Sequence, residues 1–354
     1  MPMGGEGSAR PKVTRKSVVG LFCGGAFHDV AFTRVGGCKV VKLYDWELRM
    51  RKVARSFFPE EGVVRDMDIR AENVGVLMAD IGSAVPADDW LHLNAGLPCQ
   101  DGSKANRRPH PARLREHVVT FWIVVQRCLE KYRKVTWFVE NVVCPEFVDT
   151  MKMMFPGAEF ALVNHSSFSA ENRKRAYFAS AEFDLTALTS LTGSCTVAEF
   201  FDIDQGFGPY LMRSGSAGSK SNCAWLSIDR PAPTLTSNGL IMRNERTGAE
   251  WRVPSDDTAK LRSLAALPKS TTADVTARRC AVARAVDGKV SREIARQLGA
   301  MHHDDAQRAV RWGFRPIVVQ GVWDLVGRWN CVLLLFWWRR ALRRPSCSSS
   351  LKGV

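Results

Sequence analysis

Between Val18 and Ser180 the chain alternates short β-branched and aromatic runs with stretches of helix length, a rhythm few architectures accept. The runs Val18–Phe22, Val40–Asp45, Gly62–Val64, Trp90–Asn94, Val135–Glu140, Glu159–Val163 and Ala176–Ser180 read as strands. Leu48–Phe57, Leu114–Tyr132 and Glu146–Met154 read as helices between them. The alternation predicts an α/β fold with a mainly parallel, doubly wound sheet. Such sheets bind ligands outside the carboxyl ends of their strands, so the polar and reactive side chains at those ends are the candidate site. With 354 residues, 45% of them hydrophobic, the chain can bury a full core as one large or two unequal domains.

From about Glu182 to Asp229 the rhythm fails, and Gly193, Gly206, Gly208, Gly215 and Gly218 suggest loops and a small separate region. Arg230–Asn238 is extended by its prolines. Two helical stretches follow, Asp256–Leu267 and Ser291–Arg311, the second with Ser291 as its expected N-cap. The expected divisions are a disordered basic N-terminus (1–16), a catalytic and cofactor-binding part (17–181), a short recognition region (182–229), a return to the catalytic part (230–312) and an unassigned tail (313–354).

Lysine and arginine number 50 against 36 acidic residues, a net charge of +14 that points to a polyanionic partner. The 10 cysteines include no C-x-x-C pair and no zinc-finger spacing, so no metal site is expected and reduced, intracellular thiols fit best. Met1–Lys16 lacks the apolar core of a signal peptide. Ile317–Trp338 is apolar but holds Gln320, Asp324, Arg328 and Asn330, and its unbroken part, Cys331–Trp338, is too short to span a bilayer. A protein without a membrane segment is the expectation.

Cys99, in Gly96-Leu-Pro-Cys-Gln100, follows the fourth strand and could be a nucleophile or a small buried hydrophobe. Leu21-Phe-Cys-Gly-Gly-Ala-Phe27 ends the first strand; its glycines either open backbone amides to a ligand or simply turn strand into helix. At the second strand's end Asp45 could hold a ribose diol and Trp46 stack on adenine, or they could be a helix cap and a core aromatic. Asp66-Met-Asp-Ile69 ends the third strand. Glu140, in Phe138-Val-Glu-Asn-Val142, puts a costly carboxyl at the tip of a buried strand. Before the last strand, Arg173 and Arg175 stand at i and i+2 of an extended segment and point to one side.

Taken in order, a glycine turn, an acidic-aromatic pair, Asp-Ile, Pro-Cys-Gln, Glu-Asn-Val and R-x-R form a series that resembles the DNA (cytosine-5-)-methyltransferase family. Arg230-Pro-Ala-Pro-Thr234 and Gln297-Leu-Gly-Ala300 are similar to segments of its C-terminal half, so the likeness covers about residues 17–312. It implies a Rossmann-like S-adenosylmethionine methyltransferase sheet with a small, irregular target-recognition region. It also implies C5 methylation of a cytosine turned out of double-stranded DNA. Cys99 would attack C6, Glu140 would bond N3 and the exocyclic amine, and Arg175, with Arg173 beside it, would hold O2. The cofactor S-adenosyl-L-methionine would lie across Phe22, Gly24, Gly25, Asp45, Trp46, Asp68, Ile69 and Pro98, with no metal required. Lys104, Arg107, Arg108 and Arg113 would be DNA-binding residues of a lid. A monomeric catalytic unit is implied, in the nucleus of a eukaryote or otherwise in the cytoplasm or nucleoid.

The chain departs from the family pattern at three points: Ala26 stands where a further glycine is usual, Glu171 where glutamine is expected, and Ala300 where asparagine is usual. Two alternatives follow. One is an RNA (tRNA) cytosine-5 methyltransferase; the other is a catalytically weakened, methyltransferase-like DNA-binding protein. An unrelated nucleotide-binding oxidoreductase would share the sheet but gives no reason for Pro-Cys-Gln and Glu-Asn-Val.

Overall fold

The computed structural model describes residues 15–102, 110–203, 210–214, 225–235, 238–266, 268 and 273–301. Its central sheet contains Lys16–Leu21 (β1), Lys39–Asp45 (β2), Val64–Asp66 (β3), Trp90–Gly96 (β4), Lys134–Val142 (β5) and Glu159–Asn164 (β6). A two-residue strand, Glu171–Asn172 (β7), leads into the seventh member, Lys174–Ala179 (β8). The order is β3-β2-β1-β4-β5-β8-β6, parallel throughout except for β8, which runs antiparallel to both neighbours. The strand order reverses between β1 and β4, so the ends of those two strands flank the crevice where such sheets take ligands.

Residues of the central strands are buried on both faces, which is why they read as apolar runs. One face is covered by Val74–Ala84 (α3), Pro111–Lys131 (α4) and Pro145–Met154 (α5), whose Leu77, Ile81, Phe121, Val125 and Phe147 pack with Leu21, Leu93 and Val139. The other is covered by Phe27–Arg34 (α1) and Gly288–Ala300 (α10), whose Phe32, Ile294 and Leu298 pack with Val18, Leu43 and Phe138. Leu48–Phe57 (α2) packs at the side against Val275–Arg284 (α9). Gly299 of α10 lies against the Gly36 backbone, where an added Cβ would stand 2.8 Å from the carbonyl oxygen; this gives the Gln297-Leu-Gly segment a packing reason.

Two expectations are corrected. Ser291 is not the N-cap of the last helix: Asp287 caps it through the Lys289 N–H, and Ser291 lies a turn inside, bonded to the Asp287 carbonyl and to His28. That helix also ends at Ala300, and the remainder of its expected span lies outside the described residues, as does Ile317–Trp338. The small region, where it is described, contributes to a paired sheet and is not made of loops alone. Tyr210–Ser214 (β9), Leu226–Ser227 (β10), Leu240–Asn244 (β12) and Glu250–Arg252 (β13) pair antiparallel as β10-β9-β12-β13, from both sides of residue 229. Ala232–Pro233 (β11) instead pairs with β7. The short helices Thr186–Thr189 (α6), Val197–Phe201 (α7) and Ser255–Leu261 (α8) complete the described elements. Strands of two to five residues are too short to show an alternation, so only pairing partners distant in sequence reveal this sheet. Among the described residues no helix is long and apolar enough to cross a membrane.

Beneath the crevice lies a buried polar contact. Asp29 of α1 accepts a hydrogen bond from Asn94 Nδ2 of β4 at 2.9 Å, and its other oxygen has no hydrogen-bond partner among the described residues. Gly20 makes the room: a Cβ there would meet Asp29 Oδ1 at 2.6 Å. Burial pushes the Asp29 carboxyl from 3.8 up to about 7, the Asn94 bond opposing only in part. As pH rises from 4 to 7 the unfolded chain loses this proton while the folded one keeps it, so stability falls across that window. Asp29→Asn keeps the acceptor for Asn94 and removes the titration. It is expected to raise stability by about 2–4 kcal/mol above pH 7 and to change it little near pH 4, measured by denaturant unfolding at both pH values.

Candidate active site

The parallel register of β4 and β5 sets Gly96 beside Glu140, so the segment that leaves β4 passes the tip of β5. Pro98 and Cys99 are half-buried there, and a 3₁₀ turn at Gln100–Gly102 follows, closed by the Gly102 N–H donating to the Cys99 carbonyl at 3.2 Å. Asn141, fully buried, fastens this segment: its Nδ2 donates to the Leu97 carbonyl at 3.3 Å, and its Oδ1 accepts from the Val142 N–H at 2.7 Å. Gly102 is where the turn meets its neighbours, since a Cβ would lie 2.7 Å from Cys144 Sγ and from Leu114.

On the antiparallel side of β5, Glu140 stands opposite Tyr177 and Arg175 opposite Val142, so Glu140 and Arg175 are diagonal neighbours on one face. Arg175 Nε lies 2.7 Å from Glu140 Oε1, a close ion pair without the alignment of a hydrogen bond, and its NH1 donates to the Lys174 carbonyl at 2.7 Å. Arg173 NH2 approaches the same Oε1 at 3.6 Å while its NH1 donates to the Ala283 carbonyl at 3.1 Å. Burial, with Arg173 adding to it, lowers Arg175 to about 10, still protonated at neutral pH; Glu140 and Cys99 both pull the other way. The structure therefore brings Cys99, Glu140, Arg173 and Arg175 together.

Glu171 is not left as an isolated departure. It is completely buried, its Oε2 accepts from Arg262 Nε at 2.5 Å, and its Oε1 accepts from the Leu235 N–H at 2.8 Å. Arg262, also completely buried at the end of α8, donates in addition to the Val282 carbonyl. Burial would raise the Glu171 carboxyl, but Arg262 and Arg173 outweigh it and hold it below the ordinary carboxylate range. Nothing in the sequence pattern picks out Arg262, which sits 91 residues from its partner in a stretch where Asp256, Asp257 and Lys260 are charged as well.

At the neighbouring strand ends, Phe22, Gly24 and Ala26 all take left-handed backbone conformations, with φ of 52°, 54° and 59°. Gly24 faces open space: nothing lies within 4 Å of where its Cβ would be. Gly25 does not, because a Cβ there would strike Ala281 of α9 at 2.7 Å, so its glycine serves packing. Asp45 braces this turn. Its Oδ2 accepts from the Gly24 N–H and its Oδ1 from the Glu47 N–H, each at 2.8 Å. Burial raises its carboxyl above the ordinary value in spite of those two bonds. Trp46 is 58% exposed, so the core-aromatic alternative fails. Arg51, which sequence reasoning missed, joins the strand ends by donating to the Asp45 and Trp46 carbonyls and to Asp66 Oδ2 at 2.7 Å. Ile69 is buried, and Asp68 pairs with Arg70 at 2.6 Å. Of the expected lid residues, Arg113 is exposed in the first turn of α4, and Lys104, Arg107 and Arg108 lie outside the described residues.

No protein-family model matches the chain, and no curated protein matches it. Solved structures do. A prophage-encoded protein from E. coli described as a DNA modification methyltransferase superposes with a TM-score of 0.53 at 14% identity, covering 82% of this chain and 99% of that one. The Entamoeba histolytica methyltransferase EhMeth gives 0.55 at 10% identity, covering 81% and 98%. A mutant of Spodoptera frugiperda DNMT2 gives 0.51 at 12% identity, covering 80% and 99%. At such identities the likeness is one of architecture, and the chain has the Rossmann-like fold of these methyltransferases over nearly their whole length.

Proposed function

We propose that the chain methylates C5 of cytosine in double-stranded DNA, with S-adenosyl-L-methionine as methyl donor and Cys99 as nucleophile. The observation that carries the reading is the meeting of a half-buried cysteine with a carboxylate braced by two arginines, at adjacent strand ends beside the switch point of the sheet. The fold shared with three structures called methyltransferases supports the reaction class, and the net charge of +14 supports a nucleic-acid partner.

The residues at the β1 and β2 ends fit the donor. Gly24, with open space where a side chain would be, lets its backbone be approached, Trp46 offers an exposed ring to adenine, and Asp45 keeps lone pairs for a ribose hydroxyl beyond the two it gives to backbone. When bound, S-adenosyl-L-methionine supplies an electrophilic methyl group.

The protein's own part is to make cytosine C5 nucleophilic. The Cys99 sulfur, as thiolate after its proton has passed to water, bonds to C6, and the electron pair of the C5–C6 double bond shifts toward C4 and N3. Glu140 would accept from the exocyclic amine and, taking up a proton as the base enters, donate it to N3 as that charge develops, while the guanidinium of Arg175 has donors to spare for O2. After C5 is methylated its proton leaves to a base, the double bond re-forms, and the Cys99 sulfur departs with the electrons of its bond to C6. Arg173 and Arg175 fix Glu140 in place and offset the cost of burying its charge.

Incubating the full chain with labelled S-adenosyl-L-methionine and either duplex DNA or tRNA tests the reading. Label is expected in DNA, and Cys99→Ser is expected to lower incorporation by at least about a thousandfold while the variant still binds the donor in a calorimetric titration. Label in tRNA alone would contradict a DNA substrate, and undiminished transfer by Cys99→Ser would contradict the nucleophile.

A further inference from the structure

Three guanidiniums and two carboxylates lie in a row that runs inward from Cys99. Arg175 and Arg173 stand against Glu140, Arg173 NH1 also lies 4.0 Å from Glu171 Oε1, and Arg262 closes the row on Glu171 at 2.5 Å. Glu171 and Arg262 are both completely inaccessible, so neither charge would be tolerated without the other. Arg173 is thus shared between two carboxylates at similar distances, 3.6 and 4.0 Å, and what decides its allegiance is how far Glu171 is already satisfied.

We propose that Arg262, with Glu171, is a positioning pair for the candidate site: by neutralising Glu171 it leaves Arg173 on Glu140, and it adds a positive charge to the row that runs inward from the Cys99 sulfur. The inference rests on the reading of Cys99 and Glu140 as the reacting pair. Without Arg262, the bare Glu171 carboxylate would draw Arg173 inward, and Glu140 would keep one guanidinium instead of two. The Arg262 charge attracts the negative charge that the sulfur carries when it reacts. Asp287, capping α10, faces the inner end of the row near His165 and is left intact in every variant below.

The geometry gives the test a sign. Arg262→Met removes a positive charge, Glu171→Gln removes a negative one, and the double variant restores the balance of the wild type. Alkylation of Cys99 by iodoacetamide at neutral pH, followed peptide by peptide in the mass spectrometer on chains shown to be folded by circular dichroism, reads that charge without needing turnover. Arg262→Met is expected to slow alkylation about threefold, Glu171→Gln to speed it about threefold, and the double variant to match the wild type. Methyl transfer by Arg262→Met is expected to lose at least about tenfold in kcat, with KM for S-adenosyl-L-methionine within about twofold, and the double variant is expected to recover most of the loss. If Arg262→Met does not fold, Glu171→Gln and the double variant still carry the opposite-sign comparison. Equal alkylation rates in the folded variants, or no slowing when Arg262→Met is added to whichever background folds, would overturn the proposal. A wild type that transfers no methyl group but shows the alkylation pattern would instead count against the methyltransferase reading alone.

Discussion

A charged side chain at the tip of a central strand has no water to lean on, and the cost of placing Glu140 there must be offset by cations held in fixed positions. Arg175 supplies one because β8 runs antiparallel to β5, a reversal that puts its guanidinium diagonally across from Glu140. Arg173 supplies the second from the short link between β7 and β8, anchored on the Ala283 carbonyl in the last turn of α9. Parts of the fold distant in sequence therefore converge on one carboxylate. The Cys99 segment joins it through Asn141, which holds the Leu97 carbonyl from the next residue of β5. The crevice at the β1–β4 reversal then lies beside the candidate site, whose charges are already arranged.

The ends of β1 and β2, proposed to hold the methyl donor, are built by the same economy. Asp45 looks from the sequence like a ligand or a cap, and the structure shows it bracing the glycine turn, with both oxygens on backbone N–H groups. Bracing does not exclude ligation, because a carboxylate has more lone pairs than two bonds consume. The two glycines next to each other have different duties: Gly24 leaves space open, and Gly25 lets α9 approach. Ala26 adopts the left-handed conformation that glycine takes without strain, so the family pattern and the local backbone ask for the same residue type there.

Much of this was legible in the sequence because parallel central strands are buried on both faces and announce themselves as apolar runs. The candidate site residues then fall at the ends of those runs, as Cys99, Glu140 and Asp45 do. What was not legible depends on contacts between segments far apart. Arg262 gives no local signal, and its pairing with Glu171 is visible only once the end of α8 meets β7. The four-stranded sheet around Arg213 and Trp225 is made of strands too short for a period, and the guanidinium over the indole at 4.4 Å is a tertiary contact. Ser291 was a plausible helix cap by composition and lost that place to Asp287, four residues earlier, whose carboxylate reaches the Lys289 N–H. Glu171 reads as a departure in the sequence and as half of an ion pair in the structure.

The central claim, that Cys99 bonds to C6 of a cytosine held by Glu140 and Arg175, is tested most directly with duplex DNA carrying 5-fluorocytosine. Fluorine at C5 cannot leave as the proton does, so a methylated adduct would persist instead of expelling the sulfur. Mass spectrometry of the proteolysed complex formed with S-adenosyl-L-methionine is expected to find the methylated fluorocytosine linked to the peptide containing Cys99. A linkage at another residue, or an unmodified Cys99 peptide from a chain that transfers methyl groups to ordinary duplex DNA, would contradict the account.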